Sequence, residues 1–189
     1  MGSTLKVDNI VGTSGTSAPI TLSGDTATLG TGVKFPTGHI LQMKHATRTT
    51  AYSDSFDSTW TNIPSFEVDI TPFFSTSKFL LIANLRAGNN STSSHNGTSL
   101  ILRRNINNAG YSNIGNQLQV NTEDPYGYAI THALTHIDTP NTPLSIKYTV
   151  GYADTISGFT GATLYVGQIY SSSVEPVYES VIMAMEIAV

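Results

Sequence analysis

At 189 residues the chain has room for one domain of about 100–150 residues plus an extension. Charged residues make up only 12%, and 9 Lys and Arg against 13 Asp and Glu give a net charge of −4, which excludes a basic field for a nucleic-acid backbone. Cysteine is absent, which excludes disulfides, thiolate metal sites and cysteine nucleophiles.

The first 37 residues hold twelve Ser or Thr and six Gly. Apolar dyads spaced by one residue occur at Leu5/Val7, Ile20/Leu22 and Val33/Phe35, each suited to a two-residue bite of β-structure between glycine-rich turns. Burying a large apolar side chain contributes about 1.5–3 kcal/mol, which does not offset an ordering cost of about 1–2 kcal/mol per residue across so polar a segment. The segment is therefore expected either to be disordered or to wrap around copies of itself. On the second reading, residues 1–37 are an intertwining anchor held by those six apolar side chains, and residues 38–189 are the folded domain.

From His39 onward longer apolar runs alternate with turn residues. Ser65–Thr71 places Phe66, Val68 and Ile70 on one side and Glu67 and Asp69 on the other, and Leu144–Tyr152 repeats the pattern, as half-buried strands do. Further strands are expected at His39–His45, Lys78–Leu85, Thr98–Arg104, Gln117–Asn121, Tyr128–Ile137, Ala162–Tyr170 and Ser180–Ala188. Val181–Val189, with Glu186 as its single charge, also suits a buried helix, because Met, Ala and Glu favour helices. Loops are expected at Ala87–Gly97, Asn105–Gly115, Asp138–Pro143 and Ser171–Pro176. Strands at this spacing predict an all-β fold, an antiparallel jelly-roll-like sandwich after an elongated N-terminal β extension.

The N-terminus lacks a charged region followed by an apolar one, and no run approaches the roughly eighteen apolar residues that span a bilayer. The expectation is a chain kept in the cytosol until assembly, with no membrane insertion.

Few constellations suggest chemistry. His132 and His136 stand four apart, a metal spacing on a helix, but on a strand that spacing is roughly 13 Å, which favours ordinary polar positions on a sheet face. His39, His45 and His95 match no ligand pattern. The carboxylates Glu123, Asp124, Glu175, Glu179 and Glu186 show no paired acid/base signature, and neither a nucleophile elbow nor a Walker lysine occurs. No catalytic, cofactor or metal residue is assigned. Arg103-Arg104 on a strand would send one guanidinium to each face, most simply to an ion pair at an edge or between subunits. Trp60, Tyr111, Tyr126, Tyr128 and Tyr170 fall in or near loops, where rings stack on sugars or fill protein interfaces.

Thr4–Ile10, Ala18–Leu22, Phe35–Gln42, Val68–Pro72 with Ser77-Lys78, Leu100–Arg103, Ile137–Pro140 with Tyr148–Val150, and Met185–Ala188 together resemble small virion structural and tail-fibre proteins of tailed phages, especially marine and cyanobacterial ones. The resemblance covers nearly the whole chain. It implies a homotrimer, an N-terminal anchoring segment that meets other virion proteins, an outward-facing β-domain and no catalytic residues. Full-sized tail fibres are far longer, so the expected role is a short fibre or tip that displays loops to a host-surface glycan. The alternative is a trimeric capsid decoration protein. Asn90, His95, Tyr111, Asn113, Tyr126 and Tyr128 are the candidate receptor or interface contacts. A glycan-cleaving tailspike would instead need two converging carboxylates in one pocket.

Overall fold

Alternation of apolar and polar residues builds both sheets. A computed structural model of the chain describes residues 9–10, 20–24, 26–29, 33, 35–55, 57–90, 98–120, 129–155, 163–167 and 177–189. The chain divides into two compact units, Met1–Pro36 and Thr37–Val189.

The first unit contains β1 (Asn9–Ile10), β2 (Ile20–Ser23) and β3 (Thr26–Leu29), an antiparallel three-stranded sheet in the order β1-β2-β3. Gly24, at φ 58°, makes the turn between β2 and β3 and brings Ile20 opposite Leu29. Ile20 and Leu22 lie on β2, half-buried, as are Val33 and Phe35, which belong to no strand. Leu5 and Val7 lie outside the described residues.

Among the described residues the second unit has ten strands: β4 (Ile40–Arg48), β5 (Tyr52–Ser55), β6 (Thr61–Ile70), β7 (Lys78–Asn89), β8 (Thr98–Ile106), β9 (Tyr111–Gln119), β10 (Ile130–Asp138), β11 (Ile146–Asp154), β12 (Thr163–Val166) and β13 (Ser180–Ile187). All pairings are antiparallel. One sheet runs β4-β13-β7-β10, with β12 and β5 extending it beyond the end of β13; the other runs β6-β11-β8-β9. Those two orders, four strands each with every sheet interleaving early and late strands, make a jelly roll of two Greek keys. The inward sides close one core around Phe66, Phe79, Leu81, Leu100, Tyr148 and Ile182.

The expected C-terminal strand is borne out, and two other expectations are corrected. The C-terminal segment is a strand with Ser180, Ile182, Ala184 and Glu186 buried in alternation, so the helical alternative fails. The expected loop at Asn105–Gly115 is instead a hairpin: Asn107 and Asn108, at φ 50° and 59°, form a tight turn closed by the Ala109 amide donating to the Ile106 carbonyl at 3.0 Å, and β9 starts at Tyr111. Asn is among the few residues that tolerate both left-handed positions of such a turn. The second correction is β5, a strand at Tyr52–Ser55 where the sequence suggests none. Within β6 the pairing with β11 is interrupted around Pro64 and Ser65, where Ser65 takes φ 55°, so the regular alternation holds only from Phe66 onward.

Opposite edges of the sandwich behave differently. Gly38 N–H donates to Ala188 O and Ala188 N–H to His39 O, each at 2.9 Å, so the chain enters and leaves this unit at adjacent strands. The outer side of β6-β11-β8-β9 is polar, with cross-strand rows Asp69–Lys147–Asn105–Tyr111 and Glu67–Thr149–Arg103–Asn113. The outer side of the other sheet carries an apolar row, Met43–Met185–Leu80–Ile137.

Candidate functional site

The ends of the sandwich are chemically distinct. β7 carries the chain about 36 Å, from Lys78 to Asn89 at about 3.3 Å per residue. At the Lys78 end lie Gly38, Ala188, the 71–77 connection, the Asn107-Asn108 turn and the 139–145 connection. The Asn89 end gathers the flanks of three longer connections, 90–98, 120–129 and 155–163. Asn89, fully buried, donates from Nδ2 to Thr98 Oγ1 at 3.2 Å and to Val120 O at 3.0 Å. Val120 N–H donates to Thr98 O at 2.8 Å, and Asn90 exchanges hydrogen bonds with Thr163, whose amide reaches Asn90 Oδ1 at 2.8 Å. The Ser99 and Thr155 hydroxyls are 2.6 Å apart. Thus one end receives the chain from the leader, and the other holds the roots of the long connections.

Two aspartate clamps join the sheets, one toward each end, and both grip tyrosines of β11. Tyr148 donates to Asp138 Oδ2 at 2.7 Å, and Arg104 Nη1 meets the two Asp138 oxygens at 2.7 and 3.0 Å. Tyr152 donates to Asp54 Oδ2 at 2.5 Å, with the Tyr52 hydroxyl 2.7 Å from that of Tyr152 and 3.1 Å from the same carboxylate. Burial is the main cause that pushes both β11 tyrosines far above the ordinary phenol range, and the neighbouring aspartates reinforce it. These phenols are locked as neutral donors, and their aspartates are occupied as acceptors, so the arrangement is structural.

Arg103 and Arg104 point to opposite faces, as strand geometry requires. Arg104 makes its ion pair within the chain, between the two sheets, rather than at a subunit boundary. Arg103 donates from Nε to Asn113 Oδ1 at 3.0 Å and from Nη1 to Asn62 Oδ1 at 2.6 Å and Trp60 O at 3.1 Å; its guanidinium lies 5.5 Å from the Tyr111 ring centroid. Gly151 makes room for it, since a Cβ there would stand 2.3 Å from Arg103 Cδ. Tyr111 and Asn113 are therefore brought together, at the start of β9. Asn90 lies toward the other end: β9 and its following residue span about 30 Å from Tyr111 to Val120. His95, Tyr126 and Tyr128 lie outside the described residues.

His132 is buried on the inward side of β10 and donates from Nε2 to Ala87 O at 3.1 Å; burial lowers its pKa, opposed by that hydrogen bond. His136 faces Gly115 across a groove of about 150 Å³ between β9 and β10, floored by Leu102, Leu118 and Leu134. Among the described residues no group of three His, Asp or Glu side chains is placed to hold a metal ion. Glu186, which the sequence marked only as a lone charge, is fully buried: its Oε1 accepts the Phe73 and Phe74 amides at 2.8 and 3.3 Å, and Gln42 Nε2 donates to its Oε2 at 2.6 Å.

Neither a protein-family model nor a curated protein matches the chain. Among solved structures, the VP2 subviral particle of infectious bursal disease virus is similar over 89% of this chain and 41% of that one, at 12% identity and a TM-score of 0.41. A structure of the Gt strain of the same virus gives 10% identity over 89% and 42%, with a TM-score of 0.41. The T=1 particles derived from that virus give 12% identity over 89% and 40%, with a TM-score of 0.39. This chain spans 40–42% of the length of those chains, and likeness at that level transfers no function.

Proposed function

We propose that this chain is a non-enzymatic structural component of a virion, a short trimeric fibre or tip of a tailed phage that is anchored through residues 1–37 and displays loops for host-surface attachment. The observation that carries the reading is the polarity of the jelly roll. The leader joins at Gly38, at the end opposite the buried Asn89 node that roots three long connections. A binding module held at one pole and varied at the other needs that separation, because loops tolerate change while the strands that position them do not. Asn90 stands at that display end, and His95, Tyr126 and Tyr128 belong to the connections rooted there. Tyr111 and Asn113 are at the leader-joining end, so they suit contact with other virion proteins rather than with a receptor. The clamps Tyr148–Asp138 and Tyr152–Asp54 hold the sheets rigid between the poles. Three linked copies of a weak glycan site would act by avidity.

Gold-labelled antibody against the purified chain, applied to intact particles that carry it, tests the reading. Label on the tail, with purified protein binding host cells and blocking infection, is the expected result. Label on the head shell, with heads that burst more readily in its absence, would replace attachment by capsid decoration. Sugar release from host envelope, abolished by one Asp or Glu substitution, would overturn both.

A further inference from the structure

The outer side of β4-β13-β7-β10 is built as an interface. The register sets Met43, Met185, Leu80 and Ile137 in one row across all four strands. The next row is His45, Met183, Ile82 and Thr135, and Ile40 stands opposite Ile187 at the margin. Met43 is 55% exposed and Ile137 58%, while Met185, Met183, Leu80 and Ile82 between them are half-buried. No Asp or Glu occurs at an outward position of these four strands; Lys78 sits at one end of the face, and toward the other end Asn84 and Arg86 of β7 stand opposite Ala133 and Thr131 of β10. In the other sheet the outer rows Asp69–Lys147–Asn105–Tyr111 and Glu67–Thr149–Arg103–Asn113 are polar, and Ile101 and Ala153 follow them toward the Asn89 end. A soluble sandwich with one watered face and one apolar face has a partner for the second.

We infer that this face is covered by further copies of the same chain, three sheets turned inward around a common axis. The inference rests on the trimeric reading above and names its surface. Extent is the first argument. Four strands about 4.8 Å apart and eight residues at about 3.3 Å each cover roughly 500 Å² in projection. With side-chain relief, that approaches the roughly 800 Å² per partner of a standard stable interface. Geometry is the second. Around a threefold axis parallel to the strands, β4 of one copy runs antiparallel to β10 of the next, and if these edges close at strand spacing each sheet stands about 7 Å from the axis. That is more than half the roughly 10 Å between packed sheets, so the central strands need long, adaptable side chains. Met183 and Met185 on β13, with Leu80 and Ile82 on β7, are those residues. Edge disposal is the third. β4 and β10 each leave a nine-residue edge, and the arrangement sets one against the other instead of leaving both as open templates.

Light scattering on the full chain, with the Met185→Glu and Leu80→Glu variants and Glu67→Ala on the polar face as control, tests the surface. The unaltered chain and Glu67→Ala should weigh three subunits, and each face variant about one third of that, with the β circular-dichroism signature retained. Because a face variant could fail to fold, a second measurement leaves the face unburdened by charge. The chain has no cysteine of its own. In the Met43→Cys/Ile137→Cys double variant, a short thiol-reactive cross-linker should give covalent products of two and three chains, while either single variant stays uncoupled. Trimers that persist with Met185→Glu and resist cross-linking would overturn the face while leaving the virion reading standing. A monomer at all concentrations, or a dimer cross-linked by single variants, would overturn the threefold arrangement. Label absent from particles would count against the virion reading alone.

Discussion

The Tyr148 hydroxyl crosses from one sheet to the other and donates to Asp138 Oδ2 at 2.7 Å. Asp138 is only 5% exposed and also carries the Arg104 guanidinium, so three elements, β8, β10 and β11, meet at one carboxylate.

Replacing Asp138 with Ala leaves a half-buried arginine and a buried tyrosine hydroxyl without their shared acceptor and should cost about 3–5 kcal/mol in urea unfolding. Tyr148→Phe removes one hydrogen bond to a charged acceptor and should cost about 1.5–3 kcal/mol. The double variant should cost less than the sum, since the two losses share one group; strict additivity would show that the hydroxyl and carboxylate are not coupled.

The clamps also set an alkaline limit. Both β11 tyrosines have pKa values raised by burial above the ordinary 10.0, so their contribution is intact below that value and is lost as pH rises past it, where the unfolded chain releases the proton first. Melting temperature should fall above about pH 10, less steeply in Tyr148→Phe or Tyr152→Phe. An unchanged slope in both variants would count against the clamps as its source.

His132 works in the other direction. Burial lowers its pKa from the ordinary 6.5, so the unfolded chain takes up a proton there before the folded chain does. Stability is unaffected above about pH 6.5 and should decline as pH falls below it. His132→Gln should flatten that part of the profile, read by thermal melts between pH 7 and 5.

Glu186 ties the 71–77 connection to β13 through the Phe73 and Phe74 amides. Glu186→Ala removes the charged acceptor of those part-buried donors and should cost about 1.5–3 kcal/mol. Hydrogen exchange at residues 73–77 should accelerate first. Uniform acceleration across the sheet instead would show that the carboxylate supports the strand rather than the connection.

Much of the architecture was legible because burial on one side writes itself into alternation. β6 from Phe66 and β11 show this cleanly. β5 was not legible, since Tyr52-Ser-Asp-Ser offers one apolar residue and its place is set by β12 and by the Asp54 clamp. The first part of β9, Tyr111–Gly115, read as loop while Gln117–Gln119 read as strand, because an edge strand needs few apolar contacts and Tyr111-Ser-Asn-Ile-Gly satisfies the ladder with polar residues. The helix ambiguity of Val181–Val189 has a physical source in the fold. β13 is apolar on both sides, with Ile182 and Ala184 facing the core and Met183 and Met185 facing outward, so its alternation vanishes. Sites were less legible than strands. Two of the six candidate contacts, Tyr111 and Asn113, gather around Arg103, and Asn90 stands toward the other end of the sandwich, a separation that only strand pairing determines.

Gly115 adopts φ 74°, and a Cβ there would lie 3.1 Å from the His136 ring. Gly115→Ala should therefore cost about 1–3 kcal/mol through strain and crowding together. Chemical shifts of His136 should move before those of His132 do.

The mutual hydrogen bonds of Gly38, His39 and Ala188 leave the two loose ends of the sandwich side by side. A rearranged gene that joins Val189 to Thr37 through a short flexible spacer, and opens the chain at Asn107-Asn108 instead, would encode the same strands in a new order. Such a circular permutant would carry its free ends at the hairpin turn and still close the same two Greek keys.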